Sequence, residues 1–478
     1  LATELYLSFK QKQNNGMKYF ILPGFAALAL VMTSCQTNTT NNNNIVKLVT
    51  LDPGHFHAAL VQKQDNGKID SNVFVYAPGG AELDAYIALI DKYNQRAESP
   101  THWNETVYTG TDFLQKMVNE KKGNVVVLAG NNRQKTAYIK TAIEAGFNVL
   151  GDKPMAINFA EFERLVAVFK TAAEKNLLLY DIMTERSEIT NILQKELVNM
   201  PALFGNLQTG SQTAPAIVIE SVHHYYKYVS GNVLRRPTWF FDPLQQGEAI
   251  PDVGTHLVDL AQWIAFPNQA LDYRQDIAID KVRQWATPIT SSQFNQITGT
   301  TSFPPFLNTF ITSDTILQAH ANGSVNYRLK NIHTSIVARW DYKAPEGSGD
   351  THYALFKGTK AEVEIKQGRE ENYQPTVYIR ATAAQPQNEF VQALQKALAE
   401  INKRYPGITG KERGTGWMLI IPPKYNIGHE AHFAQVMNRY LQYLANKKLP
   451  DWEVPNMLAK YYTATKAKQM AEQTTTTP

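Results

Sequence analysis

Three side chains in this 478-residue chain have types and spacing suited to moving a proton. Asp252 and His256 lie four residues apart, which places them on neighbouring positions of one helix face. Lys153 stands in Gly151-Asp152-Lys153-Pro154, directly after a short apolar run. A histidine titrating near neutrality can take a proton from a hydroxyl. A carboxylate can orient that histidine, and an ammonium can stabilise the developing alkoxide. The plainer alternative is a helix-capping Asp252 and a satisfied core His256. A second concentration runs from Glu220 to Asp242, where His223, His224, Lys227, Arg235 and Arg236 stand among tyrosines, Trp239 and phenylalanines. Aromatic faces stack on sugar C–H surfaces and polar tips bind hydroxyls, so His224, Lys227 and Trp239 are the candidates for substrate contact. The plainer alternative there is an aromatic interdomain core.

These residues need rigid elements to converge. Ile45–Leu51 is a β-rich run ending in Asp52-Pro53-Gly54, and Ala58–Gln64 has the composition of a helix start. Val73–Tyr76, Val125–Leu128, Phe147–Leu150 and Leu177–Tyr180 read as further strands. Ala81–Tyr93, Lys135–Ala145 and Phe159–Glu174 read as helices between them. Strands alternating with helices of this length indicate βαβ units and a parallel, doubly wound sheet over residues 45–185. A lysine at the carboxyl edge of such a sheet faces the ligand crevice. Val253, Leu257, Leu260 and Ile264 form an apolar helical stripe beside the Asp252/His256 pair. Residues 186–478 read as α+β. Gln318–Leu329, Thr334–Tyr342, His352–Phe356, Glu362–Lys366 and Thr376–Ala381 are short, partly alternating strands of an antiparallel sheet, with Gly349–Gly358 as a hairpin region. Asn388–Tyr405, His429–Ala445 and Pro455–Met470 read as helices.

The stretch from Val125 through Asn131-Asn132-Arg133, the Ala142-Ile-Glu-Ala-Gly146 helix and Gly151-Asp152-Lys153-Pro154 resembles the glucose–fructose oxidoreductase/inositol dehydrogenase (Gfo/Idh/MocA) family. Asp152 stands where that family has Glu before Lys-Pro. The Asp252-x-x-x-His256 pair, about a hundred residues on, matches its second motif. The resemblance covers roughly residues 45–445. It implies an N-terminal Rossmann-like domain followed by an α+β domain with an open antiparallel sheet, through which family members often associate. It also implies NAD or NADP as cofactor, and convergence of Lys153, Asp252 and His256 at the nicotinamide. Gly54, His55, Phe56, His57, Asn131, Asn132, Arg133, Lys153 and Pro154 become the expected cofactor contacts. The first turn departs from the dinucleotide fingerprint. Asp52 and His57 occupy its first and third glycine positions, and only Gly54 remains. Ala77-Pro78-Gly79-Gly80 also lacks the acidic residue that selects a ribose hydroxyl, so NAD and NADP stay equally open.

Composition narrows the remaining classes. With 43% hydrophobic and 19% charged residues the chain is ordinary globular protein. The formal charge of +4 falls nearly to neutrality without the first 34 residues, which leaves no electrostatic footprint for nucleic acid. Cys35 is the single cysteine, which excludes a disulfide framework and a cysteine-based zinc site. It closes a segment (17–34) with one lysine, an apolar run and Met-Thr-Ser, which resembles a bacterial lipoprotein signal with Cys35 as the acylated residue. The polar run up to residue 44 reads as a tether. The expected protein is exported, lipid-anchored and of the glycan-using Bacteroidetes type, acting on a small carbohydrate. No metal is assigned. Free dinucleotide is scarce outside the cytoplasm, so the expected cofactor is tightly held and regenerated in place. Two chemistries meet that condition: paired sugar oxidation and reduction, or redox-neutral glycoside cleavage through transient oxidation. A silent carbohydrate-binding lipoprotein is a further alternative. So is a metal-dependent hydrolase barrel built from His55-x-His57 with Lys153, His224, His256 and Asp259.

Overall fold

Short apolar runs build the first sheet. The computed structural model describes residues 45–229, 232–313 and 315–475; Cys35, the 17–34 segment and the polar tether lie outside them. Six strands pair in parallel: β1 (Leu48–Leu51), β2 (Asn72–Ala77), β3 (Asn104–Thr109), β4 (Val125–Leu128), β5 (Asn148–Asp152) and β6 (Leu179–Ile182). Every residue of β1, β4 and β6 is buried, because helices cover both faces; this is why LVTL and VVVL show no alternation. The helices between strands are α1 (His57–Leu60), α2 (Ala81–Gln95), α3 (Phe113–Glu120), α4 (Lys135–Glu144) and α5 (Phe159–Glu174). The strand order is β3-β2-β1-β4-β5-β6. The winding direction reverses between β1 and β4, and that switch point opens a crevice at the strands' carboxyl ends.

A second sheet follows. Its strands are β7 (Ile217–Tyr226), β10 (Ile277–Thr290), β11 (Ile311–Thr312), β12 (Ile316–Leu329), β13 (Ile332–Lys343), β14 (Thr351–Lys357), β15 (Ala361–Gln367), β16 (Thr376–Ala381), β17 (Thr409–Arg413) and β18 (Gly416–Ile420). The two-residue strands β8 (Tyr228–Val229) and β9 (Asn232–Val233) pair only with each other. The order is β10-β12-β13-β7-β14-β15-β16-β18-β17, antiparallel except for the parallel β7/β13 pair. The sheet is therefore mixed and mostly antiparallel. Gly349–Gly358 is not a hairpin; it holds β14, with the turns on either side of it.

Helices α6 (Ile189–Val198), α7 (Pro201–Phe204), α8 (Pro243–Gln246), α9 (Val253–Ala265), α10 (Ser291–Thr298), α11 (Gln387–Asn402), α12 (His429–Asn446) and α13 (Glu453–Thr475) complete the chain. The stripe Val253, Leu257, Leu260 and Ile264 on α9 is buried in the core of the second sheet. The chain then returns: Phe433, Val436, Met437 and Tyr440 of α12 pack into the core of the parallel sheet, and α13 lies against α5 and α9. The last two helices therefore stitch both sheets together. Among the described residues no helix is long and apolar enough to cross a membrane.

Candidate active site

The carboxyl ends of β1, β4, β5 and β6 meet the start of α9. Gly130, just past β4, packs so closely on the β1 turn that a Cβ would stand 2.4 Å from the Asp52 carbonyl oxygen. Beside this contact, Lys153 follows β5, and its peptide bond to Pro154 is cis. The Lys153 ammonium donates to Asp252 Oδ1 at 2.5 Å. Asp252 occupies the N-cap position of α9, yet its side chain makes no capping bond. The helix-capping alternative therefore fails, and the carboxylate is free for Lys153. Burial works against the Lys153 charge, but Asp252 and Asp152 outweigh it and raise the ammonium's pKa. Burial likewise opposes the Asp252 carboxylate, and Lys153 lowers its pKa. The two form an ion pair at neutral pH.

His256 does converge on this pair, but not through Asp252. Its Nδ1 is buried without a hydrogen-bond partner. Burial first, then Lys153 and His429, hold the imidazole well below its usual pKa and thus neutral. The expectation that a carboxylate orients His256 is corrected: Asp252 is occupied by the ammonium.

The first turn brings His55 and His57 together. Their rings meet edge to face at 3.9 Å, with Phe56 packed on both. His57 Nδ1 lies 2.9 Å and His55 Nδ1 3.7 Å from Asp152 Oδ2. Burial pushes both imidazoles well below their usual pKa. The buried Lys135 donates to Asn132 Oδ1 and to the Asp152 backbone carbonyl. Burial lowers its pKa to about 8.

The Asn131-Asn132-Arg133 loop spends its polar groups across the domain boundary. Asn131 donates to Gln245 Oε1, Asn132 to the Gln246 carbonyl, and Arg133 reaches Asp242. The loop therefore clamps α8 onto the crevice.

Of the expected carbohydrate contacts, two meet. His224 Nδ1 and Lys227 Nζ each lie 2.8 Å from a different oxygen of Asp350. His223 approaches the same carboxylate and stacks on Trp340. Burial works against the Asp350 charge, but the histidine hydrogen bonds and Lys227 hold its carboxyl far below the usual range. Trp239 does not join them. It is only 7% exposed, buried in the core with Phe240 and Phe241, and offers no open face to a sugar. The aromatic wall beside Asp252 is instead Tyr225, Phe240 and Trp340.

Several groups escaped the sequence patterns. Asp350 lies in a loop. His429 opens α12, with Nε2 3.3 Å from Thr184 Oγ1. Glu185 follows β6; burial and Glu188 raise its pKa to about 7, against the pull of Lys153. No local pattern marks the first or last, and His429 shows only as the first residue of a helix.

The barrel alternative fails on topology, since the parallel sheet is open and six-stranded. Asp259, one of its proposed ligands, is bound by the Arg186 guanidinium through both oxygens.

A nicotinamide dinucleotide fits the crevice unevenly. The Lys153/Asp252 pair and the unpartnered His256 Nδ1 suit its reactive end. The turn is less suited to its diphosphate: α1 is a single turn, and the Gly54 and His55 amides both donate to the Ala129 carbonyl at 3.1 Å.

Two family profiles match. One, described as "Oxidoreductase family, NAD-binding Rossmann fold", covers residues 54–180; the other, "Putative oxidoreductase C terminal domain", covers 193–472. No protein of curated function matches. The crystal structure of a "putative oxidoreductase" from Parabacteroides merdae is 50% identical, with a TM-score of 0.88 over 90% of this chain and 98% of that one. Levoglucosan dehydrogenase in complex with NADH and levoglucosan shares the fold at 12% identity, with a TM-score of 0.56 over 90% and 97% of the two chains. A 3-ketoreductase from Actinomadura kijaniata, in complex with NADP and TDP-benzene, does so at 11% identity, with a TM-score of 0.52 over 89% and 96%. The chain belongs to the Gfo/Idh/MocA family of NAD(P)-binding oxidoreductases.

Proposed function

We propose that the protein moves hydride between a nicotinamide dinucleotide and a carbohydrate carbon bearing a hydroxyl or ketone. The observation that carries this reading is the Lys153–Asp252 ion pair, set at the switch-point crevice beside the neutral His256. The dinucleotide, when bound, supplies the hydride acceptor or donor. The chain's own residues supply the rest. In the oxidising direction the substrate hydroxyl gives its proton to the neutral His256 imidazole. The Lys153 ammonium stabilises the oxygen as charge develops on it, which is worth most in a site shielded from water. Asp252 fixes the ammonium's position. Asp350, held between His224 and Lys227, keeps those two side chains in place on the neighbouring wall. The levoglucosan dehydrogenase, in complex with NADH and levoglucosan, supports a carbohydrate as the class.

In this reading the cofactor is tightly held, and the protein acts outside the cytoplasm, tethered through Cys35. The decisive experiment denatures the purified chain and identifies released nicotinamides by absorbance and mass. It then follows hydride transfer with a panel of free sugars and glycosides. Release of NAD(H) or NADP(H), with turnover lost in His256→Ala, supports the reading. No release and no binding of added dinucleotide would overturn it. Cleavage of a glycoside without any added acceptor would reassign the chemistry to redox-neutral elimination. Lipid labelling of the native protein, lost in Cys35→Ser, tests the tether.

A further inference from the structure

We propose that His55, His57 and Asp152 form a binding site for one divalent transition-metal ion of the zinc class. One ring nitrogen from each imidazole and one carboxylate oxygen all lie within 4.8 Å of one another. In a tetrahedral centre with metal–ligand bonds of about 2.0–2.1 Å, neighbouring ligand atoms stand roughly 3.3 Å apart. The observed 2.9 Å and 3.7 Å separations from Asp152 Oδ2 bracket that spacing. A metal ion would replace the present hydrogen bond between His57 Nδ1 and Asp152 Oδ2 and draw the two imidazoles together.

The surroundings direct this carboxylate to the imidazoles. Lys153 is engaged with Asp252, and Lys135 with Asn132 and the Asp152 backbone carbonyl. Among the described residues neither ammonium hydrogen-bonds the Asp152 side chain, although both lie close enough to be raised by its charge. His57 and Asp152 are 8% and 4% exposed, while the His55 side chain retains 21%, so the cluster has closed walls and one open side. Three protein ligands with a free position is the arrangement of a site that also takes an exogenous oxygen. Both histidines sit where a dinucleotide turn carries its phosphate-holding backbone, and the Gly54 and His55 amides are already spent on Ala129. A cation here would give an anionic oxygen the positive partner that the turn no longer provides. That oxygen could come from a diphosphate or from an ionised substrate hydroxyl.

The inference goes beyond the proposed oxidoreductase function, and its test needs no turnover. The full chain, carrying a tag without histidines, is stripped with a chelator and titrated with Zn²⁺ by calorimetry. Co²⁺ then serves as a spectroscopic probe of coordination. One equivalent at micromolar free zinc, a rise in melting temperature and a tetrahedral-type cobalt spectrum are expected. His55→Gln and Asp152→Asn should each weaken binding roughly tenfold or more. Circular dichroism of each variant checks folding, and His55→Gln, at the open side, is the variant least exposed to a folding defect. Absence of zinc binding by the wild-type chain, or equal binding by folded His55→Gln, overturns the proposal. Repeating the titration with pyrophosphate or with a sugar identifies the source of the fourth ligand: whichever tightens zinc binding occupies the open position, and tightening by neither assigns that position to water.

Discussion

The Lys153 ammonium and the Asp252 carboxylate meet at 2.5 Å, across 99 residues of sequence, and join the end of a parallel strand to the start of a helix of the second domain. Each is partly or wholly withdrawn from water, so removing either leaves an uncompensated charge in the crevice. Lys153→Met is therefore expected to lower kcat by about 100-fold or more, the scale of losing one preorganised donor to a developing oxyanion. Dinucleotide binding, followed by nicotinamide fluorescence, should survive. Retention of kcat in a folded Lys153→Met variant would remove Lys153 from the chemistry.

Asp350 makes a different prediction, because it touches His224 and Lys227 and acts through them. In Asp350→Asn the His224 imidazole and the Lys227 ammonium lose their shared carboxylate, and the wall they form loosens. KM for the carbohydrate should rise roughly tenfold or more, the scale of a hydrogen bond to a charged group, with a smaller change in kcat. Steady-state kinetics separate the two parameters. An equal fall in kcat alone would place Asp350 in the reaction itself.

What could be read in advance follows from where each signal resides. Lys153 and Asp252 stand in contiguous motifs, and each motif sits on an element whose periodicity is plain: the apolar strand before Lys153 and the stripe of α9. Asp350 has no such frame. It precedes β14 in a polar, glycine-containing loop, and its partners lie more than 120 residues upstream. Strand β3 (NETVYT) escaped because it is a mostly exposed edge strand with little apolar content. Strand β10 also lies at an edge; it bulges near Asp280 and Ala286 and carries Pro288, so its alternation breaks. Asp252 turns to Lys153; spacing alone does not set whether a carboxylate at a helix start faces the helix's own amides, a histidine or a distant lysine.

The third prediction concerns the ions beneath the crevice. Arg186 binds Asp259 and Glu453, and Lys460 binds Asp259 and Asp181, all at 3% exposure or less in their side chains. The network ties the end of β6 to α9 and α13. Arg186→Met would leave Asp259 with Lys460 and Glu453 with the Tyr180 hydroxyl in place of a cation. A buried pair broken on one side costs about 3–5 kcal/mol, so the urea midpoint should fall markedly. A midpoint within error of wild type would mean that water reaches the network.

The fourth prediction lies in a half-buried carboxyl, far from this network. Glu105 accepts from Gln62 at 2.7 Å and from Tyr86 at 3.3 Å, between the edge strand β3 and α2. Burial raises its pKa to about 7, and the hydrogen bonds from Gln62 and Tyr86 only partly oppose this. In the unfolded chain the same carboxyl titrates near 4.5. The folded state therefore holds a proton that the unfolded state has released. Its contribution to stability is complete below pH 4.5, declines above it and is lost as pH rises through 7. Allowing for partial exposure of the side chain, the loss should be about 2–3 kcal/mol. Glu105→Gln keeps a carbonyl acceptor for Gln62, turns an N–H toward the Tyr86 hydroxyl as the protonated acid turns its O–H, and cannot ionise. The variant should match wild type at pH 4 and melt at a higher temperature at pH 8. If the two melting curves stay parallel across that range, Glu105 ionises freely in the folded protein, and the hydrogen bonds from Gln62 and Tyr86 hold it as a carboxylate.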